Sequence, residues 1–179
     1  SDLHSSEGEF TLRGLRPFAL HASGGLRVQQ LPEMRFAANG TLATDRLTLA
    51  DGTLQAWGGQ STLQGEAAWS PAERWQLSGQ MRALHLEQLR SAVPGLLNFR
   101  YDAEGQGFGK GGSLMARVRD ISGTVHGQRA GGQGQVELAG EDWRLSNVRL
   151  QLGSTRISAD GRVGAHNDLR FDVDASDLA

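Results

Sequence analysis

Apolar and polar residues alternate along most of this 179-residue chain, and no other feature of the sequence limits its fold as strongly. In Trp75–Ala83 and in Leu169–Ala175 every second residue is apolar or glycine, while the residues between are Arg, Gln, Ser or Asp. Successive side chains of a strand point to opposite faces, so this spacing predicts strands with one apolar and one hydrated face. Such strands are typical of antiparallel sheets.

Turn-forming residues separate the alternating runs. The chain has 25 glycines but only 4 prolines, and glycine adopts the positive φ angles that tight turns require. Eight dipeptides have the composition of turns: Asn39-Gly40, Asp51-Gly52, Gly58-Gly59, Ser70-Pro71, Gly111-Gly112, Gly131-Gly132, Gly153-Ser154 and Asp160-Gly161. With a strand every 8–12 residues or so, the pattern predicts roughly fourteen strands.

One segment, residues 84–93, departs from the alternation. Here the spacing of the apolar residues changes toward that of a helix, at Leu84, Leu86 and Leu89, and the run ends at Pro94-Gly95. Because proline stops a helix, we expect one short helix near 84–93, lying against an edge or end of the sheet.

A long internal repeat relates the two halves of the chain. Leu49 and Leu54 match Leu145 and Leu150 at an offset of 96 residues, and Leu77 matches Leu169 at an offset of 92. We therefore interpret residues 1–179 as a single fragment of a longer repetitive protein, with a quasi-repeat at 40–89 and 136–179.

Composition excludes several classes of protein. A net charge of −2 argues against nucleic-acid binding, which needs a basic surface to displace counterions. The absence of cysteine excludes disulfides and thiolate metal sites, and no stretch approaches the roughly 20 apolar residues of a membrane span. There is no signal peptide, and the chain begins and stops in the middle of the pattern, as an excised fragment does.

No set of residues is spaced for catalysis, so we expect no enzyme, no cofactor and no metal. The five histidines, His4, His21, His85, His126 and His166, lie in separate neighbourhoods without metal-ligand spacing. Asp168, Asp172, Asp174 and Asp177 lack the calcium-loop pattern, and alternation places Asp172 and Asp174 on the outer face of a strand. The glycines of 105–112 are not followed by a P-loop lysine and hydroxyl residue, and are better interpreted as a strand connection.

An apolar sheet face must be covered. A second sheet, closure into a barrel, or a curved sheet folded over a groove would each achieve this. A groove left partly unfilled would accept acyl chains, which need a dry surface and no polar contacts. The candidate groove-lining residues are Leu47, Leu49, Leu54, Ala56, Leu77, Met81, Leu138, Leu145, Val148, Leu150, Leu152, Ile157, Ala159, Val163, Leu169, Phe171 and Val173.

The order of these runs resembles the repeating element of the TamB family, whose relatives are the AsmA-like proteins of Gram-negative envelopes. The resemblance covers most of residues 40–179. It rests on Val148-x-Leu150-x-Leu152-Gly153-x-x-x-Ile157-x-Ala159-x-Gly161-x-Val163, on Asp168-Leu169-x-Phe171-x-Val173-x-Ala175-x-Asp177-Leu178, on Ile121-Ser-Gly123-Thr-Val125 with the following glycines and Val136-x-Leu138, and on Leu86-Glu-Gln-Leu89 before Val93-Pro94-Gly95.

This resemblance implies an elongated, mostly antiparallel sheet folded into a taco-like trough with an apolar interior. It implies a periplasmic segment of a protein anchored in the inner membrane, and phospholipid acyl chains as the transported partner. It also implies outer-membrane protein assembly beside TamA, an outer-membrane barrel partner that would bind outside this fragment or at its end. The fragment would then be an internal or C-terminal piece of the trough.

Three alternatives of other classes remain open from the sequence. A scaffold or chaperone could use the same trough to pair with strands of outer-membrane or autotransporter proteins. A structural β-solenoid or adhesin segment would want coils of about 20–25 residues, against which the long offset argues. A carbohydrate-active β protein would need a carboxylate pair in a cleft.

Overall fold

The computed structural model describes residues 3–28, 33–108, 111–140, 142–164 and 167–175. They form twelve strands and one short helix, which confirms the all-β prediction. In chain order the elements are β1 (Leu3–Arg13), β2 (Phe18–Val28), β3 (Met34–Leu42), β4 (Arg46–Ala56), β5 (Gly59–Ala68), β6 (Arg74–His85), α1 (Leu86–Leu89), β7 (Gly95–Gln106), β8 (Ser113–Val125), β9 (Gln128–Ala139), β10 (Asp142–Leu152), β11 (Thr155–Val163) and β12 (Asp168–Ala175).

The twelve strands form one antiparallel sheet in which each strand pairs with its neighbours in sequence. The spatial order is therefore the chain order, from β1 at one edge to β12 at the other. Within the described residues no second sheet covers either face, and the edges do not pair with each other. This all-antiparallel order excludes the β-solenoid alternative, which is built from stacked coils.

The sheet is open and curved rather than compact. Its accessible surface is 12167 Å², whereas a compact monomer of 19.2 kDa exposes about 8,400 Å². Few of the large apolar side chains that the structure describes are buried, Met81 and Leu84 among them. The chain therefore gains most of its order from strand pairing and from packing along one face.

Four of the eight predicted turns lie inside strands, and the structure describes twelve strands where the pattern predicts about fourteen. Asn39-Gly40 belongs to β3, Asp51-Gly52 to β4, Gly131-Gly132 to β9 and Asp160-Gly161 to β11. In all four pairs the second residue lies on the sheet face that carries the apolar side chains. These glycines therefore serve close packing or bulges within strands instead of turns.

The helix is shorter than the predicted 84–93. It spans Leu86–Leu89, because Leu84 and His85 still pair with Leu97 and Leu96 in the β6–β7 ladder. Ala92 and Val93 lie in the connection to β7. Strand pairing therefore outweighs the local helical spacing at the start of this segment.

Even-numbered strands β4, β6, β8 and β10 each carry a bulge, in which two residues oppose one on the next strand. The bulged pairs are Ala50-Asp51, Arg82-Ala83, Arg119-Asp120 and Ser146-Asn147. A further register shift lies between β1 and β2. Bulges bend a strand and increase its twist, so their regular recurrence contributes to the curvature of the sheet.

Two strands, β4 and β10, have the 96-residue spacing of the predicted repeat. β4 begins at Arg46 and ends at Ala56, and β10 begins at Asp142 and ends at Leu152, so both ends differ by 96 residues. The bulges of these two strands have the same offset. A two-strand unit with a bulged even strand also recurs in β6 and β8, whereas the bounds 40 and 136 lie inside β3 and β9, so the long repeat stays a prediction.

Candidate functional site

The strand register collects the apolar residues of the chain on one face, which we call the apolar face. Directly paired residues of neighbouring strands share a face, so the pairings define its members across the whole sheet. Leu77, for example, is flanked by Gly65 on β5 and by Ala103 on β7. The larger side chains of the face outside the predicted set are Phe10, Leu12, Phe18, Leu20, Met34, Phe36, Leu42, Leu63, Trp75, Leu84, Leu97, Phe99, Tyr101, Leu114, Val118, Ile121, Val125, Val136 and Trp143.

All the predicted groove-lining residues, from Leu47 on β4 to Val173 on β12, lie on this face. The bulges preserve this arrangement, because Leu49 and Gly52 on β4 both remain on the apolar face with two residues between them. Whether the face holds acyl chains stays a prediction.

Burial changes along the apolar face. Near the middle of the sheet, Ala56 and Met81 are buried, with 3% and 5% of their surface exposed. At the β12 edge, Phe171 and Val173 are 65% and 62% exposed. Side chains of the central strands therefore cover one another, while the face toward the edges is open to solvent.

Glycines on the apolar face make room for large side chains from the next strand. A Cβ at Gly105 would lie 2.7 Å from the Trp75 ring, and one at Gly79 would lie 2.7 Å from Cζ of Tyr101. Both aromatic rings therefore lie over a neighbouring glycine, which no residue with a side chain could replace without displacing the ring.

A polar pair interrupts the apolar face at its centre. Ser61 on β5 is only 1% exposed, and its Oγ shares a hydrogen bond of 2.8 Å with the Tyr101 hydroxyl on β7. Both groups are also within reach of the Thr62 carbonyl oxygen. Because the two hydroxyls satisfy each other and this carbonyl, the face contains no unpartnered polar group at this point.

The opposite face is polar and carries hydrogen bonds between strands. The His21 ring N–H donates to Asn39 Oδ1 at 2.7 Å, and Asn39 donates to Asp51 at 2.9 Å, which links β2, β3 and β4. Arg119 pairs with Asp102 across β7 and β8. Arginine and carboxylate side chains therefore lie where alternation predicts a hydrated face.

Two of the larger cavities, of about 570 and 580 Å³, lie on the polar face. They are shallow, solvent-open grooves over β4–β9, lined by long side chains such as Gln64, Glu66, Gln76, Glu104 and Arg117. Their lining is mixed, because apolar atoms of residues such as Leu77, Trp75 and Met115 lie between these charged and amide groups.

Exposed hydrogen-bonded neighbours lower the pKa values of two carboxyl groups. The hydrogen bond from the His85 ring, at 2.8 Å, holds the pKa of Glu87 below its usual range, and backbone N–H groups reinforce this. The Arg46 guanidinium likewise lowers the pKa of Asp45. These groups hold a turn and the helix in place, and an open groove of about 300 Å³ lies beside His85 and Glu87.

Candidate metal ligands do not converge in the part of the chain that the structure describes, where no group of three such side chains is close enough to hold an ion. His85 lies at the end of β6 and His126 lies in the β8–β9 turn, while His166 and Asp177 fall outside the described residues. Asp172 and Asp174 lie on the polar face of β12, as alternation predicts. Among the described helical residues, none forms a helix with the length and hydropathy of a membrane span.

An open sheet that is apolar from edge to edge on one face defines a β protein that offers an extended surface instead of an enclosed active site. A family model described as the TamB N-terminal domain matches residues 1–179, and the chain belongs to the TamB family. This family comprises transport and assembly proteins of the Gram-negative envelope and is not known for enzymatic activity. The match to an N-terminal domain corrects the expected internal or C-terminal position. No curated protein and no solved structure matches the chain.

Proposed function

We propose that this chain is a periplasmic segment of a TamB-like envelope protein that carries phospholipid acyl chains along its apolar face between the inner and outer membranes. The observation that supports this is the continuity of the apolar face over all twelve strands, with its outer parts uncovered. In the same proposal the full-length protein is anchored in the inner membrane, supports outer-membrane protein assembly and works with a TamA-like barrel partner.

The dimensions of the sheet suit a lipid path. At about 4.8 Å per strand, twelve strands extend the apolar face over roughly 58 Å. Leu150, Ile157 and Phe171 lie on neighbouring strands, so an acyl chain can move from one to the next without leaving apolar contact. The phospholipid headgroup stays in water, and no side chain needs to recognise it.

The energetics favour occupancy of the exposed part of the face. Burying apolar surface contributes about 25 cal/mol per Å², so an acyl chain that covers several exposed side chains gains several kcal/mol. The same argument predicts that a charge on the path blocks it, because an unpaired charge without water costs several kcal/mol.

Photocrosslinking tests the path with a control on the adjacent residue. A benzoylphenylalanine at Leu150 points to the apolar face, whereas one at Arg149 points to the polar face of the same strand. In the full-length protein in cells, we expect phospholipid adducts at position 150 and at least about tenfold fewer at position 149. Equal yields at the two positions would overturn the proposal.

A functional test uses charge on the path. Asp or Arg at Leu150, Ile157 or Phe171 of the full-length protein should weaken the outer membrane, measured by its permeability to a hydrophobic dye. Undiminished integrity in all three variants, at normal protein levels, counts against lipid carriage.

A scaffold for β-strands is the second candidate, and the free edges support it. The outer edge of β12 pairs with no other described strand, so its backbone N–H and C=O groups can accept an added strand. The crosslinker at Phe171 distinguishes the candidates, because a strand client gives protein adducts there and a lipid path gives phospholipid adducts.

A further inference from the structure

The two edges of the apolar face each carry an exposed phenylalanine. Phe10 on β1 is 63% exposed and Phe171 on β12 is 65% exposed. A row of facing residues joins them across all twelve strands, through Ala22 on β2 at one end and Ala159 on β11 at the other. Paired residues of antiparallel strands lie directly opposite each other, so the two rings mark the ends of one level of the sheet.

Exposed apolar surface concentrates on the same face. Of the eleven large apolar side chains that are exposed in the described part of the chain, seven lie on this face, all on β1 or on β10–β12. Among the strand residues whose side chains are described, every Arg, Asp and Glu instead falls on the polar face. A charge-free apolar surface of this extent marks an interface.

The apolar face is large enough to hold a second sheet. Twelve strands span roughly 58 Å, and strands of 8–13 residues are roughly 30 Å long, which gives roughly 1,700 Å² on each copy. Two such faces in contact bury about 3,400 Å², within the roughly 2,000–5,000 Å² of permanent homodimers. Contact over only half of the face, because of sheet twist, still buries about 1,700 Å² and exceeds the roughly 1,000 Å² that a specific interface needs. A single acyl chain, about as wide as one strand spacing, covers far less.

We propose that a second copy of this chain covers the apolar face, with the two sheets packed face to face about a two-fold axis. The right-handed twist that sheets share lets the two copies align about 10 Å apart. An axis parallel to the strands places Phe10 over the partner's Phe171, and an axis along the row places each ring over its own counterpart. Either arrangement buries both exposed rings against an aromatic side chain.

A second copy suits this face better than an unrelated protein. Two-fold packing brings the exposed rings of the edges together twice, and it leaves no charged side chain of the described strands without water. The contact needs no lipid, so the dimer does not depend on the lipid carriage proposed above.

Sedimentation equilibrium of the whole chain, without lipid or detergent, tests the dimer. We expect twice the 19.2 kDa mass of one copy. F10D should raise the dissociation constant at least about a hundredfold, because each dimer buries that charge twice. T11D is the matched control, since Thr11 lies on the polar face of the same strand, and it should leave the dissociation constant unchanged.

Crosslinking reports the contact directly. Because the chain has no cysteine, F10C/F171C carries thiols at these two positions only. A bis-maleimide that spans the ~10 Å between packed sheets should join two copies into a band of twice the mass on a denaturing gel. T11C/D172C carries both thiols on the polar face of the same two strands and should give several-fold less of that band.

Any of three results overturns the proposal: a monomer at all concentrations, an equal effect of T11D and F10D, or equal crosslinking on the two faces. A monomer that carries co-purified phospholipid assigns the face to lipid alone and likewise overturns it. Crosslinking at Leu150 in cells remains an independent test of lipid carriage on the apolar face.

Discussion

The hydroxyl of Tyr101 lies 2.8 Å from Oγ of Ser61, although the two residues belong to strands separated by β6. The Tyr101 side chain crosses β6 at Gly79, where the absence of a side chain leaves room for the ring. Three central strands are therefore fastened together on the apolar face by one aromatic residue.

Gly79→Ala should destabilise the chain by about 1–3 kcal/mol, because the added Cβ overlaps the Tyr101 ring and a backbone carbonyl of β5. Gly134→Ala is the matched control on the same face, since its Cβ would lie an ordinary 3.4 Å from Val148. Urea denaturation followed by circular dichroism measures both. If the two variants lose stability equally, the crossing of β6 by Tyr101 has no special role.

Two substitutions at the β6 bulge should change the stability of the fold in opposite directions. Ala83 has a left-handed φ of 53°, and its N–H donates to Asn98 Oδ1 at 2.9 Å. Ala83→Gly should stabilise the fold by about 1 kcal/mol, because glycine adopts this conformation without strain. Asn98→Leu should destabilise it by about 1–3 kcal/mol, since the Ala83 N–H loses its acceptor.

These two variants are compared by their denaturation midpoints. Ala56→Gly is the control, because Ala56 has no left-handed backbone and should lose stability instead. A loss of stability in Ala83→Gly would show that the bulge does not persist in solution.

The carboxylate of Glu87 should make stability depend on pH. Because hydrogen bonds from His85 and backbone N–H groups depress the folded-state pKa of Glu87, its contribution is present above its ordinary pKa of 4.5. That contribution is lost as the pH falls through the lower folded-state value. The stability difference between the native chain and Glu87→Gln should therefore shrink from pH 7 to pH 3. A constant difference over that range would contradict this assignment.

Charge substitutions on the apolar face should separate folding from function. Met81→Asp buries a charge in the middle of the sheet and should cost several kcal/mol. Phe171→Asp adds a charge at a largely exposed site and should change stability by about 0.5 kcal/mol or less. Phe171→Asp is thus the sharper probe of lipid carriage, provided that its denaturation midpoint matches that of the native chain.

The strands of this fold could be predicted because alternation is local. In Trp75–Met81 the sequence alone defines which side chains share a face, and the structure places them accordingly, whereas the bulge at Arg82-Ala83 puts Leu84 and not Ala83 next on the apolar face. The bulges could not be predicted in the same way. Asp51-Gly52 has the composition of a hairpin turn, and only pairing of β4 with β3 and β5 on both sides keeps it within a strand.

The candidate site likewise has one part that the sequence predicts and one part that it does not. That Leu150 and Phe171 share a face follows from alternation combined with short connections. The Ser61–Tyr101 pair could not be foreseen, because the two residues are 40 positions apart and meet only through Gly79. The grooves of the polar face also depend on curvature, which no single run of residues encodes.

Strand order that never departs from chain order has a consequence for how such a molecule can evolve. Duplication or deletion of one internal hairpin changes the pairing of only the two strands that flank it, keeps the antiparallel order, and alters the span of the sheet by about 9.6 Å. Evolution can therefore change the length of the sheet one hairpin at a time, without a new hydrophobic core. The same modularity lets folding begin at any hairpin and spread to its neighbours.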